Sequence, residues 1–226
     1  MLSNRYNEIE LLCIDVMSSI WQRSPRSYQL QVIVHIVRMM LHDIPPSPVL
    51  LVQSTGSGKS TVPLTCAVVN GGVSIVLENT LALSSDQSSK VINNATDNTK
   101  HVKAYQLDNF KGSTELKELL DSIASHCTYN QYTSIIIFAS PEAILKKECI
   151  GFIAKLIDSS SLNLFCIDKV HQFIELGISF RKGFQMINKS ILSLFRNLDG
   201  TFKIPILMMT ATLDYNLYLL LQRMLG

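Results

Sequence analysis

Val49-Leu50-Leu51-Val52-Gln53-Ser54-Thr55-Gly56-Ser57-Gly58-Lys59-Ser60-Thr61 is the stretch on which the fold of this 226-residue chain turns. Its first four residues are apolar on successive positions, which predicts a strand, Val49–Val52, buried on both faces. Backbone N–H groups wrap a polyphosphate only where the chain turns tightly, and Gly56 and Gly58 permit that turn directly after the strand. A helix predicted from Lys59 would aim its positive N-terminal dipole at the same anion. In that arrangement Thr55, Gly56, Ser57, Gly58 and Thr61 line the phosphates, Lys59 neutralises their charge and the Ser60 hydroxyl ligates Mg²⁺. The strict pattern has glycine where this chain has Gln53.

Outward from this loop, short apolar runs alternate with longer helical patterns. Strands are predicted at Val49–Val52, Val73–Leu77, Val102–Tyr105, Ser134–Ala139, Leu162–Ile167 and Pro205–Met209. Helices are predicted at Tyr28–Leu41, Lys59–Val69, Ala82–Val91, Glu115–Ser125, Ile150–Ile157, Gly183–Phe195 and Tyr215–Met224. Pro45, Pro46 and Pro48 end the first helix, and the polar stretch Asn93–Lys100 reads as a loop. The expected class is α/β, a three-layer sandwich with a mainly parallel central sheet and helices on both faces. Residues 1–24 form an N-terminal helical extension and 25–226 a single domain in this reading.

With 47% hydrophobic and 17% charged residues the chain can bury a substantial core. A net charge of +2 falls short of a protein held on nucleic acid by charge alone, so any such contact is local. The five cysteines are scattered without a CxxC pair, which points to reduced thiols rather than a zinc or disulfide framework. Arg5, Glu8, Glu10 and Asp15 interrupt any signal or membrane-spanning segment at the N-terminus. No membrane association and an intracellular location, nuclear in a eukaryote, are the expectation.

Further elements follow in a telling order. Arg26-Ser27-Tyr28-Gln29 precedes the phosphate loop, and Leu77-Glu78-Asn79-Thr80-Leu81-Ala82-Leu83-Ser84-Ser85-Asp86-Gln87 follows the second strand. Ser140-Pro141-Glu142 follows the fourth strand, Asp168-Lys169-Val170-His171 the fifth and Met209-Thr210-Ala211-Thr212 the sixth. In this order they resemble the RecQ family of superfamily 2 DNA helicases, over roughly Pro25 to Leu213. The resemblance implies a RecA-like, P-loop NTPase fold and the first, ATP-binding lobe of a 3′ to 5′ helicase. It implies that Gln29, with Arg26, binds the adenine of ATP and that Asp168 and Ser60 hold Mg²⁺. It also implies that His171 relays nucleotide state, that Thr210 and Thr212 couple the ATP site to the adjoining lobe, and that Ser140 lies beside single-stranded or partly duplex DNA. Thr80 stands where that family usually has proline. Within 172–181, Phe173, Phe180 and Arg181 are candidate DNA contacts, each aromatic stack contributing about 1–3 kcal/mol where it forms. Leu176 and Ile178 replace the tryptophan and histidine favoured there.

Lys169 is the sharpest departure, because the family has glutamate at this position. That glutamate orients and deprotonates the attacking water in phosphoryl transfer, whereas a lysine cation has no acceptor. Loss of a general base lowers rates by about 10²–10⁴-fold. ATP binding with impaired hydrolysis is therefore expected, and with no second P-loop-like unit in these residues unwinding by this chain alone is not. A pseudo-ATPase serving as a nucleotide- or DNA-binding regulatory module is the competing reading. A DEAD-box-like RNA helicase lobe is a third, opposed by His171 and by the Ala-Leu-x-x-Asp-Gln element. A small-molecule kinase would leave Gln29 and Thr210-Ala211-Thr212 unexplained.

Overall fold

The structure, a computed structural model, describes residues 2–78, 102–110, 112–129, 133–172 and 185–225. Six strands make one sheet: β1 (Pro48–Val52), β2 (Gly72–Leu77), β3 (Val102–Gln106), β4 (Ser134–Ala139), β5 (Leu162–Ile167) and β6 (Ile206–Thr210). Their order is β1-β6-β5-β2-β4-β3, and every pairing is parallel. The strands run continuously apolar because both faces are covered. Along β4, Ile135, Ile137 and Ala139 join one core while Ile136 and Phe138 join the other, the period-2 alternation of a strand.

One face carries α1 (Leu2–Trp21), α2 (Ser27–Met40) and α3 (Thr61–Asn70). The other carries α4 (Ser113–Tyr129), the short α5 (Pro141–Ile144), α6 (Lys147–Asp158), residues 185–195 and α7 (Tyr215–Leu225). This is the expected RecA-like α/β sandwich. The helix α1 is integral to its layer. Ile9, Cys13 and Met17, four residues apart and hence on one helix face, are buried with Ile33 and Val37 of α2. Val16 and Ile20 meet Val68 of α3, Trp21 Nε1 donates to Thr65 Oγ1 of α3 at 3.0 Å, and Arg5 pairs with Asp43 at 3.0 Å.

Boundaries differ from expectation where local chemistry intervenes. The sixth strand begins at Ile206 rather than Pro205, because proline has no N–H for the ladder and contributes only its carbonyl, which accepts from Phe165 N–H at 3.3 Å. The helix expected over Gly183–Phe195 is helical at 185–190 and then tightens into a 3₁₀ turn, Leu192–Phe195. Three residues per turn eclipses i with i+3, and both Leu192 and Phe195 are buried. The α3 helix starts at Thr61, two residues later than expected. The predicted helix Ala82–Val91 and loop Asn93–Lys100 lie outside the described residues. Cys13, Cys66, Cys149 and Cys166 are buried and form no disulfide. No helix among the described residues is long and apolar enough to cross a membrane.

Candidate functional site

Parallel register brings the singled-out residues to one edge. Val52 pairs with Thr210, Ile167 with Met208, Leu77 with Ile167 and also with Ala139. The residues that follow these strands, from Gln53 through Lys59, Asp168, Glu78 and Ser140, therefore emerge along the carboxyl ends of the sheet. Open α/β sheets bind ligands at that edge, where the strand order reverses. Here β5 and β6 insert between β1 and β2, so the reversal falls beside the phosphate loop.

The loop makes its turn with Gly56 at φ 76° and Gly58 at φ 90°, both in the left-handed region. Thr55 and Gly56 are its exposed crest, and a Cβ on Gly56 would meet nothing within 4 Å. A Cβ on Gly58 would stand 2.8 Å from Gln29 Nε2. Lys59 Nζ donates to the backbone carbonyls of Gln53 at 2.5 Å and Ser54 at 2.8 Å. Its ammonium is held by oxygens of the loop itself, which phosphate oxygens would have to outcompete. Burial lowers the Lys59 pKa and the Asp168 carboxylate opposes that shift. Lys59 and Ser60 form a turn before α3, with Ser60 as N-cap. The buried Ser57 Oγ has no hydrogen-bond partner.

The segment before α2 clamps this loop from behind. Arg26 Nη1 and Tyr28 Oη both donate to Ser57 O at 2.8 Å. Gln29 Nε2 donates to Gly58 O at 2.9 Å and to Thr61 Oγ1 at 3.0 Å, while its Oε1 accepts from Arg26 N at 2.8 Å. Both amide donors of Gln29 thus hold the loop and only one lone pair of Oε1 stays uncommitted. Gln29 is 4% exposed. What the residue does in this structure is position the phosphate loop, a role that sequence reasoning missed, as it did the Tyr28 hydroxyl.

At the turn after β5, Asp168 Oδ1 accepts from Lys169 N at 2.9 Å, and Lys169 takes φ 54°, the left-handed conformation unusual outside glycine. Asp168 is 5% exposed. Burial raises its pKa, opposed in turn by the Lys169 N–H, the Lys169 charge, Lys59 and His171. The three cationic or protonatable groups named for the site therefore converge electrostatically on Asp168. His171 Nδ1 lies 2.8 Å from Thr210 Oγ1. Thr210 Oγ1 also donates to Thr212 O at 2.6 Å, so one hydroxyl joins the His171 ring to the turn after the sixth strand. Gln53 N donates to Thr210 O at 3.1 Å and ties this hub back to the loop.

Glu78 is the acidic neighbour that sequence reasoning left without a role. It is 4% exposed and neither carboxylate oxygen has a hydrogen-bond partner. Burial, then the Asp168 charge, push its pKa up to about 8 against the pull of Lys169. In the sequence it is a charged residue directly after an apolar strand, within the stretch Leu77 to Gln87 already singled out.

Ser140, expected beside a nucleic-acid path, is engaged within the fold by three hydrogen bonds. Its hydroxyl donates to Asp108 Oδ1 at 2.5 Å and accepts from Ala143 N at 3.1 Å, and its own N–H donates to Asp108 Oδ2 at 2.9 Å. The side chain is an N-cap of α5 locked by a carboxylate, with its donor already committed. Phe173, Phe180 and Arg181 lie outside the described residues.

A nucleotide fits this edge: the loop has an open crest at Gly56, an orphaned buried hydroxyl at Ser57 and a cation at Lys59, with the carboxyl group of Asp168 for a metal. Among the described residues no group of three or more His, Cys, Asp or Glu could hold a metal ion. A family model for the DEAD/DEAH box helicase matches residues 26–220. No curated protein matches the chain.

Proposed function

Since the chain belongs to the DEAD/DEAH box helicase family, we propose that it is the ATP-binding lobe of a RecQ-like helicase that binds ATP·Mg²⁺, contacts single-stranded DNA and hydrolyses ATP slowly. The observation that carries the binding half is the clamp of Arg26, Tyr28 and Gln29 on Ser57 and Gly58, with Lys59 beside Asp168 in charge. That clamp holds in advance the loop geometry phosphates need, so little ordering remains to oppose binding. Bound Mg²⁺ would neutralise charge on the phosphate oxygens.

Within this reading Lys59 leaves the Gln53 and Ser54 carbonyls for phosphate, and Ser60 and Asp168 face the cation. Gln29 can accept one hydrogen bond from an adenine amino group through its remaining lone pair. His171, hydrogen-bonded to Thr210, links the metal side of the site to the strand end that Thr212 extends. Lys169 cannot accept the proton of an attacking water, which supports binding over turnover. The DNA preference rests on the Ala82 to Gln87 element and on His171. Residues 25–226 form the lobe, and a second RecA-like lobe, in the same chain or a partner, would close over ATP.

Purified chain is expected to bind a fluorescent ATP analogue and Lys59→Ala to lose that binding. Phosphate release with single-stranded DNA present should rise about 10²-fold or more in Lys169→Glu, the contribution of a restored general base. Equal turnover in the two proteins would defeat the impaired-hydrolysis reading, and tighter binding of an equal-length RNA strand would defeat the DNA assignment.

A further inference from the structure

Nothing in the phosphate loop, the Asp168 turn or the His171 and Thr210 pair uses Glu78, although it is sequestered among them. Its place is fixed by backbone bonds. Leu77 pairs with Ile167, Asp168 N donates to Leu77 O at 2.9 Å and Glu78 N donates to Ala139 O at 3.0 Å. Glu78 and Asp168 therefore leave adjacent parallel strands side by side, at a strand spacing of about 4.8 Å. A carboxyl group taken out of water with both oxygens unpartnered either keeps its proton or gives it up to a cation that compensates the charge. Asp168 repels its charge, and Lys169, which makes no hydrogen bond to it, offsets that only in part.

We propose that Glu78 is the second carboxyl group of the divalent-cation site anchored by Asp168, supplied by the neighbouring strand. The inference rests on the nucleotide reading above. A hard cation such as Mg²⁺ or Mn²⁺ takes oxygen ligands, and Ser60, phosphate oxygens and water would supply the remainder.

The probe is Mn²⁺, titrated against the full chain with a non-hydrolysable ATP analogue and followed by electron paramagnetic resonance of the free ion. Glu78→Gln, which keeps side-chain shape, is expected to weaken Mn²⁺ about 10–100-fold, the range typical of supporting groups around a metal. Asp168→Asn should do likewise, while exposed Glu118→Gln should match wild type. Glu78→Asp, retaining a shorter carboxylate, should fall between. Nucleotide affinity in EDTA should be the same for wild type and Glu78→Gln. Unchanged Mn²⁺ affinity in Glu78→Gln beside a weakened Asp168→Asn overturns this proposal alone. Failure of wild type to bind nucleotide with Mn²⁺ present overturns the nucleotide reading and this proposal with it.

Discussion

Glu78 holds its proton to about pH 8 in the folded chain, against an ordinary value of 4.5, and this has a definite sign. The folded state binds the proton more tightly than the unfolded one, so the contribution is full below about pH 4.5 and is lost as pH rises through about 8. Each unit of that interval is worth about 1.4 kcal/mol. Asp168, raised in the same direction, adds to the trend, and Lys169, which faces Glu78, opposes it. In EDTA the melting temperature is therefore expected to fall between pH 5 and 8.5, and Glu78→Gln to flatten most of that fall. A profile as steep in the variant would show that the carboxyl is not the source. Gln29 is equally exacting, since its amide makes three hydrogen bonds. Gln29→Ala should lower stability by about 2–3 kcal/mol at roughly 1 kcal/mol per bond, measured by urea denaturation without nucleotide. Gly58→Ala combines φ 90° with a Cβ 2.8 Å from Gln29 Nε2 and should lower it by about 1–3 kcal/mol.

Between β4 and α6 the decisive device is a cap. Ser140→Ala removes the N-cap bond to Ala143 and leaves Asp108 only the Ser140 backbone N–H of its two Ser140 donors, and should destabilise by about 1–2 kcal/mol in thermal melts. Because the Ser140 donor is already engaged by Asp108, the same variant should leave single-strand affinity within about twofold. At this scale the sequence was readable wherever one local signal dominated. Ser134–Ala139 and Leu162–Ile167 were legible to the residue because an apolar run with polar flanks has one way to lie in a covered parallel sheet. The start of α3 was not, because Lys59 and Ser60 are pulled into a turn by bonds that Gln29 and the loop carbonyls make across the fold. The site divides the same way. Lys59, Asp168 and His171 were legible as motif members, whereas Glu78 and Asp108 act through register and burial, which no neighbouring residue announces.

Across the whole molecule the edge of the sheet and the α1–α3 layer behave as one object. The P-loop joins β1 to α3, α3 packs on α1 and α2, and α2 begins with the residues that hold the loop. Ligand occupancy should accordingly be felt globally. Saturating ATP analogue at 100 times its dissociation constant should raise stability by about 2.7 kcal/mol, and Lys59→Ala should show no such gain in a thermal-shift assay. The chain has a single tryptophan, Trp21, whose indole donates to Thr65 one turn into the helix that the phosphate loop feeds. The molecule thus carries its own optical gauge. A change in the tilt or hydration of α3 alters the indole environment, so intrinsic emission can follow loading of the loop in real time without a label, and Thr65→Val should mute the signal while leaving the loop intact.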